Sequence, residues 1–484
     1  MGDNYVTPWA GYPSEEGQPN APAALSFVNS SGINIDSTII AHTSGWGLEF
    51  RNDNCSSGAD CVAKASADNA LTNSALYDIG TSALRLGRMP PSSAQDSGSG
   101  GNTDLKATQH TNVSNNLFAS TGRLYPGGEA GCIWIGSSLG NTIQYNECSD
   151  SYGGGISIGP KSGYQKHFNY DNVVQHNNFH DIGRGVIDDF GCVHFANWGG
   201  VQTHDTGNRF ESNICHDMTD AVADNKQGGT GIYIDGLSQC DTVKYNLVYR
   251  ASGALYFNNT KKTAPSTCSN SCPDPYAPDG GCKNIVSNNI LAYSYLNTNN
   301  WGGAVKRGAN DTGVGDTIRT FTFTHNIVYF NSTKGPQWLK NNTGSWSCLF
   351  ADGSFPAPCT TYFAFYSNAY WSPNLPSPLF ATTDVTGSAV FVGLAKWQAN
   401  SLSSDPGEDG SDPVDGGGKS VYQDPLFKSP GFPADNYRLT GSAPPGFDTV
   451  GFANTYTAGR NKPVIFAPFV SPGFPLQLLS PTQY

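Results

Sequence analysis

Apolar and polar residues alternate along much of this chain at a period of two, in short runs separated by turn residues. NTIQYN (141–146), NVVQHN (172–177) and TVKYN (242–246) each set an apolar side chain between polar neighbours. That period predicts strands of a few residues with one buried face, and the 3.6-residue spacing of an amphipathic helix is missing. The runs also recur. An Asn two residues ahead of an apolar position stands at Asn116, Asn146, Asn177, Asn213, Asn246, Asn288 and Asn326, at intervals of 30 to 42 residues. A feature repeated at such intervals marks a solenoid. Short strands joined by tight turns, with no helices between them, stack in parallel as a β-helix. Its hydrogen bonds run along the axis and alternate side chains fill the bore.

The repeating Asn has a local cause. It tolerates the left-handed backbone conformation and bonds to nearby backbone groups, and stacked Asn side chains can bond to one another. A structural role is therefore expected of it. Intervals above 30 residues exceed a minimal coil, so extra residues should project as loops, and loops on one side form a cleft. Residues 1–23, rich in Pro and Gly, are expected to be an irregular lead-in, and 24–345 a single β-helix domain. Within it, 90–110 is Ser/Gly-rich and reads as an exposed loop. Beyond 345 the repeat fades. Residues 346–484 contain an acidic Gly/Pro stretch (400–420) and two strand-like pieces, QDPLF (423–427) and NYRLTGSAP (436–444). Such an extension is expected to cap the unpaired edge of the last coil.

Composition narrows the class. The chain has 484 residues, 57 of them Gly, with 14% charged residues and 3 Met, which suits many short strands rather than helices. A net charge of -12 excludes nucleic acid as a natural partner, because its phosphates would be repelled. No run of eighteen apolar residues is present, so no membrane-spanning helix is expected. Twelve cysteines without C-x2-C pairs read as disulfides of an oxidising compartment rather than zinc ligands. Close neighbours are Cys55 with Cys61, Cys348 with Cys359, and Cys268, Cys272 and Cys282 near Cys240. Asn-x-Ser/Thr sequons at Asn29, Asn54, Asn112, Asn258, Asn310, Asn331 and Asn341 agree with secretion. Met1-Gly2-Asp3 does not open a secretion signal, so an upstream leader is expected to have been removed.

Three segments, GCIWIGSSLGNTIQYNECSDSYGGGISIG (131–159), GVIDDFGCVHF (185–195) and GTGIYIDG (229–236), resemble the right-handed β-helix glycoside hydrolases. The nearest likeness is to glycoside hydrolase family 141, the group with α-L-fucosidase and xylanase activities. IAHTSGWGLEF (40–50), ALYDIGTSALRLG (75–87) and the DPLF-to-YRL ending are similar as well, so the likeness covers about 24–300 plus that ending. It implies a right-handed coil and a secreted enzyme cleaving a plant or algal cell-wall polysaccharide. It also implies catalytic roles for Asp189, before a Phe-Gly step, and Asp235, which closes the Gly-Ile-Tyr strand. The chain departs from the family pattern at Gly236, where an acidic residue is expected. It departs again at Tyr256-Phe257-Asn258-Asn259, where a His-containing strand end is expected.

Glycoside hydrolysis by itself asks for two carboxylates, one protonated acid and one base or nucleophile. If Val193-His194-Phe195 aligns with Ile232-Tyr233-Ile234, Asp189 and Asp235 sit at opposite ends of their strands, roughly 20 Å apart along an extended chain. A sharp bend at Phe190-Gly191 would be needed to bring them together. Asp188 is the nearest substitute for Asp189. Asp217, Asp220 and Asp224 are further alternatives for which a turn role is favoured. His194 and Tyr233 should point outward from adjacent coils, to orient a carboxylate, to bind sugar hydroxyls, or simply to stack. Trp134 and Trp198 are candidate sugar platforms. His180 and His216 precede Asp181 and Asp217 in equivalent turns and are expected to serve the repeat.

Two other readings fit the same sequence. A polysaccharide lyase or epimerase on a uronate glycan would need a base and a cation, for which Arg184, Lys161, Lys166, His194 and Tyr233 are available. A non-catalytic carbohydrate-binding β-helix would leave every acid as a solvated turn. No cofactor is expected, and no ligand spacing supports Ca2+ among the Asp-rich turns.

Overall fold

The computed structural model describes residues 22–52, 65–87, 108–127, 130–159, 169–187, 189–196, 207–220, 229–235, 240–257 and 284–292, then shorter stretches, and 420–461. The described chain is almost all β, with long parallel sheets and few helices. Three long sheets hold most of it. Sheet I begins at Asn34–Asp36, sheet II at Ile39–Thr43, and sheet III at Ala23–Val28 and Trp46–Arg51. The chain visits them in rotation. In one turn, Val173–Gln175 joins sheet I, Asn178–Ile182 joins sheet II and Phe190–Phe195 joins sheet III; Arg209–Glu211 then returns to sheet I.

Each sheet carries an inward column set by the period of two, and sheet III a second one through Leu86, Ile135, Ile158, Phe195, Ile234 and Phe257. In sheet I it is the middle residue of each three-residue strand: Leu71, Val113, Ile143, Val174, Phe210 and Val243 are all fully buried. Sheet II contributes Leu76, Phe118, Cys148, Phe179, Cys215 and Val248, and sheet III contributes Leu84, Ile133, Ile156, Val193, Ile232 and Leu255. These columns form one continuous core along the axis.

The corner between sheets I and II explains the repeating Asn. Asn116, Asn146, Asn177 and Asn213 each accept, through Oδ1, the backbone N–H of the residue at the same place one coil earlier; Ser74 supplies the first. Their Nδ2 groups donate onward to the next Asn and back to a sheet I carbonyl. The ladder continues through Asn246, Asn289, Asn326 and Asn368 to Ser420. Its sixth coil uses Asn289, not the expected Asn288. Asn288 instead takes the left-handed conformation and accepts from the backbone of Asp448. The left-handed residue is always the one before the ladder Asn: Asn115, Tyr145, His176, Ser212, Tyr245, Asn288, His325 and Ser367. Stacking, rather than backbone permissiveness, is thus what demands Asn. A second ladder runs through Asn141, Asn172, Asn208, Asp241 and Asn284.

Among the described residues two disulfides join sheets III and II, Cys132–Cys148 and Cys192–Cys215, at sequence separations of 16 and 23. Sequence proximity did not single them out. Cys240 is also disulfide-bonded, and the other cysteines of the expected neighbour groups lie outside the described residues. Among the described residues no helix is long and apolar enough to cross a membrane.

The described end of the chain adds Val421–Tyr422 as a last parallel strand of sheet II. It then runs back along the outer face of that sheet, a course that nothing in the sequence indicated. Phe427, Tyr437, Phe447 and Phe452 cover Ile214, Leu247, Ile290 and Ile327. Polar contacts pin this strap: Tyr245 Oη donates to Asp448, Arg250 pairs with Asp217 and Asp435, and Arg460 donates to Glu147 at 2.8 Å.

The far end of the strap is pH-sensitive. Burial opposes the charged form of His180, but its contacts to Asp181 (2.7 Å) and Glu147 (3.4 Å) outweigh it and lift its pKa from 6.5 to about 9. Burial raises Glu147, yet His180 and Arg460 bring it below its ordinary 4.5. The raised His contributes fully below its unfolded value near 6.5, and the contribution is lost as pH rises through about 9. The lowered Glu contributes above 4.5 and is lost in acid. Thermal stability from this contact should therefore peak between the two and fall toward alkaline pH. His180→Gln should flatten the alkaline limb of a melting-temperature profile, and an unchanged limb would show that His180 does not couple to folding.

Candidate active site

The outer face of sheet III carries a single file of side chains, one per coil: Glu49, Arg85, Trp134, Ser157, His194, Tyr233 and Tyr256. Their flanking residues are inward core, which is why this file faces out. The observed register pairs Val193 with Ile232, His194 with Tyr233 and Phe195 with Ile234. The imidazole of His194 and the phenol of Tyr233 stack with centroids 4.6 Å apart and planes 22° apart. Adjacent strands lie about 4.8 Å apart, so rings on successive coils meet face to face without distortion.

Both candidate carboxylates meet this pair. Tyr233 Oη donates to Asp189 Oδ1 at 2.9 Å, and His194 Nε2 lies 3.4 Å from Asp235 Oδ2. The path from one carboxylate through the stacked rings to the other is shorter than the ~20 Å of an extended chain. The expected bend at Phe190-Gly191 falls instead at Asp189, whose φ is +59°, and Phe190 already begins the strand. Gly191 serves close approach: a Cβ there would stand 2.4 Å from the Val193 carbonyl oxygen and 3.1 Å from Tyr233 Cβ. Asp235 extends the parallel ladder by one bond, its N–H donating to the Phe195 carbonyl. It then enters a turn closed by Ser238, whose N–H and Oγ both donate to its carbonyl.

His194 is 8% exposed and Tyr233 1%. Burial, followed by the charges of Asp235 and Asp189, pushes the Tyr233 phenol well above its ordinary range, so the hydroxyl keeps its proton. The site thus joins two carboxylates to a protonated donor and an imidazole, and can hold the two carboxylates in different environments.

Other expected residues sit elsewhere. Trp134 is not an open sugar platform: it is fully buried, edge-on to Trp46 at 5.7 Å, with the Arg85 guanidinium 5.2 Å from its centroid. The neighbouring Arg85 and Trp46, from other coils, were not legible in the sequence. His180 and His216 lie on sheet II, stacked with Tyr249. Asp217 is engaged by His216 and Arg250, and Asp220 accepts from Ser252. Arg184, a cation the lyase reading would use, is paired with Asp150 at 2.9 Å. Asp188, Trp198, Asp224, Lys161 and Lys166 lie outside the described residues, as do the long inserts expected to form a cleft. Tyr256, noted only as a departure from a family pattern, turns out to be the next ring of the stack, 4.8 Å from Tyr233.

No family model and no curated protein matches the chain. Two solved structures are similar in part. One, titled "Glycoside hydrolase", shares 18% identity at a TM-score of 0.36 and covers 47% of this chain and 35% of its own. The chain therefore spans about a third of that structure's length. The other, titled "a new PL6 alginate lyase complex with trisaccharide", shares 10% identity at a TM-score of 0.28 and covers 74% of this chain and 72% of its own. Both titles name carbohydrate-active enzymes; superpositions this loose assign no activity, and the chemistry rests on the site itself.

Proposed function

We propose that this chain is a secreted right-handed parallel β-helix enzyme that hydrolyses O-glycosidic bonds in a plant or algal cell-wall polysaccharide, without a cofactor. The observation that carries the reading is the meeting of Asp189 and Asp235 at one stacked Tyr233–His194 pair. Asp189, which accepts from the Tyr233 hydroxyl, acts as base or nucleophile. Asp235, beside an imidazole and at a strand end, serves as the acid that protonates the leaving oxygen. Tyr233 and His194 are buried and act on the carboxylates rather than as an exposed sugar surface.

A lyase on the same site would take its proton with His194 rather than Tyr233. A Tyr base works by losing its proton, and the environment of Tyr233 opposes that loss. Product chemistry separates the two. Digestion of a panel of neutral and uronate-containing plant and algal polysaccharides should release new reducing ends without ultraviolet-absorbing unsaturated sugars. Unsaturated products would replace hydrolysis by elimination, and binding without any product would leave a carbohydrate-binding protein.

A further inference from the structure

Tyr233 is the middle ring of three. His194 of the preceding coil stacks on it at 4.6 Å, and Tyr256 of the following coil at 4.8 Å with planes 25° apart. Tyr256 is 2% exposed. The same device recurs on sheet II, where His216 lies between His180 (5.1 Å, 7°) and Tyr249 (4.7 Å, 4°). There too the middle ring holds a carboxylate, His216 Nδ1 meeting Asp217 at 2.6 Å. A ring stacked on one side only can tilt away from its neighbour. A ring held on both sides cannot, and its polar atom stays where the stack puts it.

We propose that Tyr256 is a positioning residue for the carboxylate pair: its ring clamps Tyr233 against His194 and so sets where the Tyr233 hydroxyl meets Asp189. The inference rests on Asp189 and Asp235 being the catalytic pair. The flat face of Tyr256 supplies the clamp. Tyr256→Leu removes the face while keeping an apolar side chain. Tyr233 then gains freedom to rock, and the donor to Asp189 is lost for part of the time. The effect falls on turnover, because neither ring lies open to bind sugar.

The test measures kcat, KM and melting temperature for Tyr256→Leu and Tyr256→Phe beside Asp189→Asn and Asp235→Asn, on whichever polysaccharide the wild type cleaves. Tyr256→Leu should lower kcat by roughly ten- to a hundredfold with KM within about threefold, since a misplacement near 1 Å costs that much. Tyr256→Phe should restore kcat to within about threefold of wild type. A folded leucine variant with wild-type kcat, a loss confined to KM, or a phenylalanine variant as impaired as the leucine one would overturn the assignment. Should the leucine variant not fold, Tyr256→Met, of similar bulk and without a flat face, carries the same expectation and the same refutation. Intact turnover in the Asp variants would remove the reading of the site itself. Lost turnover there with an unaffected leucine variant would remove only the role of Tyr256.

Discussion

Asp189→Asn and Asp235→Asn should each lower kcat on polysaccharide by about a thousandfold or more while leaving the melting temperature close to wild type. Asn keeps the shape of Asp and still offers an oxygen to Tyr233 Oη or His194 Nε2, the contacts that hold each carboxylate in place. What it removes is the charge and the exchangeable proton. The two variants should then part company. An acid is dispensable when the leaving group needs no proton, so Asp235→Asn should retain most of its activity on aryl glycosides with acidic phenols. Asp189→Asn should not, because the attack on the anomeric carbon still lacks its carboxylate. Added azide should restore turnover in Asp189→Asn by standing in for the missing anion. The reverse pattern would exchange the two roles, and full activity in both would move the chemistry elsewhere, with Asp188 the first place to look.

The second large effect belongs to the fold. Asn213→Ala should destabilise the chain by about 2 kcal/mol or more, read as a shift in urea midpoint. Asn213 Oδ1 accepts from both the backbone N–H and Nδ2 of Asn177, and its Nδ2 donates to Asn246 and to the Val174 carbonyl. Alanine takes the acceptor from the buried Asn177 N–H and a donor from the Val174 carbonyl, at about 1–3 kcal/mol for each group, while Asn177 Nδ2 keeps the Ile143 and Gln175 carbonyls and Asn246 Oδ1 keeps the Asn213 backbone N–H. Asn288→Ala is the control. It removes a neighbouring Asn whose side-chain oxygen meets the strap at Asp448, and should cost about 1 kcal/mol. Equal losses in the two variants would mean that the ladder is no more cooperative than a single surface bond.

These expectations trace different depths of legibility. The strands and their buried face could be read from NVVQHN and its counterparts, because alternation is a property of neighbouring residues and needs no partner to be visible. The pairing of His194 with Tyr233 could be read too, since Val193-His194-Phe195 and Ile232-Tyr233-Ile234 must keep their apolar residues in the bore. Asn288 and Asn289 were harder: both precede apolar positions, and only a stack with Asn246 and Asn326 tells them apart.

By itself, then, the sequence determined the period and the inward columns, carried by residues near one another in the chain, and the recurring Asn, carried by the repeat; the two carboxylates came from the family resemblance. Tertiary structure alone decided that Asp189 reaches Tyr233 from the coil before it, that Tyr256 joins the stack, and that Arg85 and Trp46 pack against Trp134. It also decided that sheets III and II are bridged by Cys132–Cys148 and Cys192–Cys215, and that residues 427–460 strap sheet II as far back as Glu147. The physical reason is distance along the chain. A contact between coils depends on the length of the insert that separates them and on how far each side chain reaches, and neither quantity is written in the alternation of the strands it joins.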